Sequence, residues 1–393
     1  MAMYKVTIIM LFLGCFGCQS TRLPHLQSST SDLWLSEEHF SGDVFAITSP
    51  DDIFALSEQT KQQLRYITGS KSLMPERTKA VMHYILKLAD SELVYQHSAT
   101  TTAQQTMQNG NANCLSLAIL TYSIAWELGL QAVFQDVNIP EYWTSQNDTT
   151  WLNGHVNLRI KQSLIADTAS SAISFGSDII VDFDPYVLKK QFPSKTVSKQ
   201  RIIAMFYNNK AAEAFADNNI AQAYRYYQAS ADADAEFAVT WSNLAVLYRQ
   251  TGHYAKAELA YNYSLQLDPE SLNTLANLAF LYQHIGDTKK AKLLQHQVAM
   301  KRQNNPYYYV MLGNETLQAK LYDNAKTYYR HAIKLNNKTH EAYFGLAVVY
   351  LELNQKEEAA YYLGRAKRNT LSENEQKRYQ SKLDVLNQVA RHY

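Results

Sequence analysis

The sequence predicts an α+β domain over residues 50–200 followed by an all-α solenoid over residues 204–373. Three observations carry this. Ala223, Ala257, Ala291, Ala325 and Ala359 recur at a 34-residue interval, the length of one helix pair. The preceding half lacks that period; one apolar helical run starts near Cys114, then β-rich stretches follow at Ala132–Val137, His155–Ile160 and Ile179–Phe183. At 393 residues the chain is too long for one ordinary core, so two domains behind an N-terminal segment are expected.

In the solenoid, small alanines let two helices approach while larger residues fill the space between successive pairs. The second repeat is fullest, with Trp241, Leu244, Ala245, Tyr248, Gly252, Tyr254, Ala257, Tyr261 and Pro269. It resembles the tetratricopeptide (TPR) pattern, and five such repeats are expected, with residues 374–393 as a capping helix over the last open face. Later copies depart from the pattern: Gly252 becomes Gly286, Lys320 and Asn354, and Pro269 becomes Gln303 and Asn337. The sixth position of the first helix holds Asn209, Asn243, Asn277, Met311 and Gly345. In TPR domains that position lines the concave face, where stacked amides offer donor and acceptor to an extended peptide backbone. No cation stands at the positions that would grip a terminal carboxylate (Met205, Asn208, Val239, Ser242, Asn273, Ala276), so the expected partner is a neutral extended protein or peptide chain. Tyr307 and Phe344 offer stacking farther along.

Lys and Arg total 37 against 36 Asp and Glu, so the chain lacks the positive excess that phosphate neutralisation needs, and nucleic acid is not an expected partner. At the N-terminus one lysine, Lys5, precedes the apolar run Val6–Leu13, which is too short to span a bilayer and has the form of a signal peptide over residues 1–18. Gly14-Cys15 and Gly17-Cys18 resemble the bond cut in bacterial lipoprotein signals. Cys18 is the favoured lipidation site because polar chain begins at Gln19, with Cys15 as the alternative. The resemblance implies a bacterial envelope protein held to a membrane by lipid, at the outer membrane facing the periplasm since no Asp follows Cys18; a plain secretory signal is the competing reading. Residues 19–49 are expected to be a flexible tether. From Pro50, the spacing of Ile53, Leu56, Leu64 and Ile67 predicts one helix, and Ala80, Val81, Tyr84, Ile85 and Leu88 a second.

Cys114 is the one cysteine outside the signal, where a structural disulfide would need two. The run Asn109–Asn113 reads as a loop entering a helix anchored by Leu117, Leu120, Ile124 and Leu128 and ended by Gly129. A thiol in a helix's first turn sits at the positive end of the dipole, which favours thiolate, and the same backbone N–H groups suit an oxyanion. His155 opens one predicted strand and Asp182 closes another; if the strands pair, the carboxylate orients the imidazole that takes the thiol proton.

Cys, His and Asp in that order, with the exit Ala125, Leu128, Gly129, Leu130, Ala132, resemble the transglutaminase-like branch of the papain-type superfamily over about residues 90–184. The resemblance implies a papain-like α+β domain in which Cys114 is nucleophile, His155 general acid/base and Asp182 the orienting carboxylate. Asn157 stands where that family has an aromatic residue, and Asp184 competes with Asp182 as third member. Hydrolysis and transamidation both stay open, and the rival function is a non-catalytic TPR scaffold on a degenerate domain. No cofactor is implied. Zinc is not expected either, because no Cys-x2-Cys or His-x3-His pair flanks Cys114. A Gly-x-Ser-x-Gly elbow and a phosphate loop are likewise missing from the sequence.

Overall fold

A computed structural model describes residues 30–36, 39–69, 76, 83–84, 94–95, 99–146, 149–161, 165–166, 173–174, 178–183, 187, 190 and 192–391. It divides into two compact units, residues 1–34 and 35–393. In the first, Thr30–Leu33 makes one turn of 3-10 helix. Cys15, Cys18 and almost all of the second helix expected near residue 80 lie outside the described residues.

In the second unit, helices α1 (Pro50–Phe54), α2 (Glu58–Thr68), α3 (Ala103–Asn109) and α4 (Cys114–Glu127) precede a sheet. The single helix expected over Ile53–Ile67 is two. Ser57 stays extended and its hydroxyl caps Thr60 N, so a strong N-cap ends one helix and begins the next. Strands β1 (Ala132–Val137), β2 (Tyr142–Gln146), β3 (Thr149–Asn153), β4 (Val156–Ile160), β5 (Ile179–Val181) and β6 (Ser194–Val197) follow. The antiparallel order is β6-β1-β4-β5, and β2-β3 forms a separate hairpin just before β4. Alternation along β4 puts Val156, Leu158 and Ile160 on one buried face and Asn157 on the other. Helix α4 packs on β4 and β1 and buries Leu117, Leu120 and Ile124.

Ten solenoid helices pair in sequence: α5 (Lys199–Ala216) with α6 (Ile220–Ala233), α7 (Ala238–Gln250) with α8 (Tyr254–Leu267), α9 (Leu272–His284) with α10 (Thr288–Arg302), α11 (Pro306–Gln318) with α12 (Tyr322–Leu335), and α13 (His340–Glu352) with α14 (Lys356–Asn369). The five interval alanines are all fully buried, which is why no larger residue serves there. A second periodic device joins the early repeats: Ser230 donates to Ala204 O (2.7 Å) and meets Thr240, and Ser264 donates to Ala238 O (2.8 Å) and meets Thr274. Helix α15 (Glu373–Arg391) packs on α14, with the Tyr379 ring buried.

The tether expectation over residues 19–49 fails where the structure describes it beyond Trp34. Tyr224 Oη donates to Leu35 O (2.6 Å) and accepts from Leu35 N (2.9 Å), Phe45 N donates to Gln222 Oε1, and Tyr207 Oη donates to Thr48 O. Phe40 packs on Tyr224 at 4.6 Å. A polar composition suggested a linker, but the solenoid's tyrosines satisfy this segment's backbone and one aromatic anchors it.

Candidate functional site

Cys114 is the first residue of α4. The Asn113 side chain accepts from Ser116 N (2.9 Å), the local reason a helix begins here. Asn113 Nδ2 also donates to Thr100 Oγ1 (2.9 Å), and Ser116 Oγ accepts from Thr101 N (2.8 Å). Thr100 N in turn donates to Glu213 of α5, so the turn bearing the thiol is braced from the first solenoid helix. The thiol is partly exposed and lies 3.7 Å from Gly154 O as donor.

His155 is buried at 4 % exposure, next to that carbonyl. Its Nε2 lies 2.9 Å from both carboxylate oxygens of Asp182, itself 8 % exposed. Antiparallel pairing of β4 with β5 sets this up: Leu158 faces Val181, so the next positions toward the sheet end bring Asn157 opposite Asp182. Asn157 Nδ2 donates to Asp182 Oδ2 at 2.9 Å, and its buried Oδ1 has no hydrogen-bond partner among the described residues. Burial alone would push the imidazole's pKa down. Hydrogen bonds with Asp182 and Cys114 and the electrostatic interaction with each oppose it, raising His155 to about 10, which favours the imidazolium.

The structure thus brings Cys114, His155 and Asp182 into one site; Asp184 lies outside the described residues. Two contributors escaped the sequence. Asn157 was legible only as a departure from the family motif, although its position two residues past His155 puts it on the imidazole's face of the strand. Gly154 gave no signal, because its carbonyl acts rather than its side chain.

The asparagine row is less open than expected. Asn243 Nδ2 donates to Oδ1 of buried Asn208 (3.0 Å), and Asn208 approaches Asn209 at 3.5 Å, so the first rungs bond partly to one another. Gly345 does not line a groove: it is buried where any Cβ would run into the Tyr329 ring. The two stacking candidates are engaged internally, Tyr307 edge-on to Tyr142 of the hairpin (5.0 Å) and Phe344 against Tyr379 of α15 (5.3 Å).

Family models of the tetratricopeptide repeat match residues 238–271 and 306–339. No curated relative matches the chain. Similar solved structures include YrrB, described as a TPR protein with an unusual peptide-binding site, at 16 % identity over 45 % of this chain and 92 % of that one, TM-score 0.25. Another is MamA 41-end from Desulfovibrio magneticus RS-1, at 16 % identity over 43 % and 97 %, TM-score 0.26. A third, the APC/C hetero-tetramer Cut9-Hcn1, has 17 % identity over 47 % and 36 %, TM-score 0.28. Likeness at such scores carries no argument about this chain. The repeats themselves stand on the family matches: this is a TPR repeat protein, consistent with a protein-interaction scaffold.

Proposed function

We propose that the chain is a thiol acyl-transfer enzyme acting on an amide of a peptide or protein, with the TPR array holding that substrate or a partner. The observation that carries the reading is the buried Asp182–His155 pair at 2.9 Å beside the Cys114 thiol. With Nε2 committed to the carboxylate, Nδ1 is the ring nitrogen left to exchange a proton with Sγ. The thiolate would add to the amide carbonyl while the N-terminal end of α4 faces the developing oxyanion. The imidazolium would then give its proton to the leaving amine nitrogen as the C–N bond breaks, leaving a thioester on Cys114. Water or a second amine would resolve the thioester and regenerate the thiol. For the partner, Val239 with Asn243 and Asn277 with Phe280 share helix faces at i,i+4 and i,i+3 spacing, and Val239 and Phe280 are exposed. That mixture of amide and apolar side chain suits a neutral extended segment. The Gly-Cys signal supports lipid anchoring in a bacterial envelope.

The test is the rate of Cys114 alkylation by iodoacetamide against pH in the full chain. An ordinary thiol speeds up about tenfold per pH unit until about pH 8.5. A thiolate–imidazolium pair reacts at nearly constant rate from below neutrality until the imidazolium loses its proton near pH 10. A steep ordinary profile in the folded protein would remove the enzyme reading and leave the scaffold.

A further inference from the structure

Glu141 and the hairpin β2-β3 reach out of the sheet domain onto the junction of the third and fourth repeats. Arg302, the last residue of α10 and 4 % exposed, donates from Nε and Nη2 to the two carboxylate oxygens of Glu141, each at 2.6 Å. Its guanidinium also lies over the Trp143 ring at 4.8 Å and the Tyr308 ring at 5.7 Å. Asn305 Nδ2 donates to Glu141 O (2.9 Å), so main chain and side chain of one residue are held together. A two-point fork buried against aromatic faces fixes orientation as well as distance, which a surface ion pair does not.

What the fork holds is the far side of the Cys–His site. In the hairpin Tyr142 pairs with Asn153, and Asn153 Nδ2 donates to Tyr142 O (3.3 Å) and Thr144 Oγ1 (3.1 Å). The next residue, Gly154, accepts the Cys114 thiol, and the one after is His155. A shift of Glu141 is therefore passed across one strand pair to the peptide on which the imidazole hangs. Glu213 of the first repeat, bonded to Thr100 N, braces the turn that carries Cys114.

We propose that Arg302 is a positioning residue for His155, acting through Glu141 and the hairpin, so that the end of the third repeat of the solenoid sets the geometry of the Cys–His pair. Its catalytic consequence rests on the acyl-transfer reading; its structural content does not. Two readouts on the full chain separate them: titration of the His155 ring protons by NMR, and the pH profile of Cys114 alkylation. Arg302→Met is expected to lower the alkylation rate at pH 6 roughly tenfold, since small misplacements cost factors of that order, and to move the His155 midpoint down towards its ordinary range. Glu141→Gln keeps the shape of the hairpin and should act in the same direction more weakly; the double variant should be no worse than Arg302→Met alone, because both remove one interaction. If Arg302→Met does not fold, Glu141→Gln decides. Folded variants with His155 titration and alkylation profile both unchanged overturn the proposal. An inert wild-type thiol whose His155 midpoint still moves with Glu141→Gln overturns only the acyl-transfer reading.

Discussion

The solenoid and the sheet domain are assembled from contacts of opposite kind. Solenoid helices pack on the next helix in sequence, the α10–α11 junction excepted, and the same buried alanine returns in every pair. The sheet domain instead joins His155 to Asp182 across 27 positions, Cys114 to Gly154 across 40, and Glu141 to Arg302 across 161. A nearest-neighbour structure tolerates drift in its later copies, because each interface is satisfied locally. A site gathered from distant segments depends on everything that holds them in register. In this molecule the solenoid supplies part of that register, through Glu213 bonded to Thr100 beside the thiol's turn and Arg302 bonded to Glu141 before the hairpin.

The largest expected effect tests that dependence. Read from sequence, the Cys–His–Asp chemistry is self-contained, and a chain ending at about Ser198 keeps its reactive thiol. The braces from the solenoid lead to the opposite expectation. Removing residues 199–393 strips Glu213 from Thr100 and Arg302 from Glu141, and it exposes the Tyr224 and Gln222 partners' side of segment 35–48. Alkylation of Cys114 at pH 6 in the truncated chain should fall by at least about tenfold, to the rate of a free thiol. If the fragment keeps the full chain's profile, the site does not depend on the solenoid and the two regions are independent.

The same contrast explains what could be read in advance. The 34-residue interval exposed the solenoid because one geometric requirement, a residue small enough for close helix approach, repeats at every copy. The helix at Cys114 was legible from Asn113 before it and Gly129 after it, and the latter has φ +71°. The strands near residues 132, 156 and 179 were visible as β-branched runs. The hairpin at 142–153 and the edge strand at 194–197 were not: Trp143, Thr144, Asn153 and Ser194 show no clean alternation, and what holds the hairpin is an arginine in another domain. Segment 35–48 was misread for a related reason, since its partners include Tyr224 and Tyr207, 189 and 159 positions away in sequence, beyond the reach of local composition.

An intermediate effect probes the solenoid's local logic. Tyr329 fills the space between Gly313 and Gly345, and a Cβ at Gly313 would lie 2.5 Å from the ring. Gly345→Ala should therefore destabilise the chain by about 1–3 kcal/mol, although alanine is the better helix former. Thermal unfolding followed at 222 nm checks this, and alkylation of Cys114 under native conditions should not change. A stabilised variant would show that the ring moves aside and that the fifth repeat is loosely packed. A change at Cys114 would show that the fifth repeat, too, reports to the site.

The smallest effect concerns the asparagine row, where the structure splits residues that look equivalent in sequence. Asn243 donates to Oδ1 of Asn208, which is 5 % exposed, whereas Asn277 stands one repeat farther on and is half-buried. Asn243→Ala leaves a buried acceptor without its donor, a loss of about 1 kcal/mol. Asn277→Ala should cost no more than about 0.5 kcal/mol, as expected for a partly exposed polar side chain on a helix face. For binding the order inverts. Asn243 already spends a donor internally, so a neutral extended peptide titrated by calorimetry should lose more affinity from Asn277→Ala than from Asn243→Ala. Equal losses in affinity with unchanged helicity would mean that the Asn208 bond opens on binding and that both amides grip the peptide. No loss from either variant would move the recognition surface off this row, to Val239 and Phe280 or to the face that the sheet domain covers.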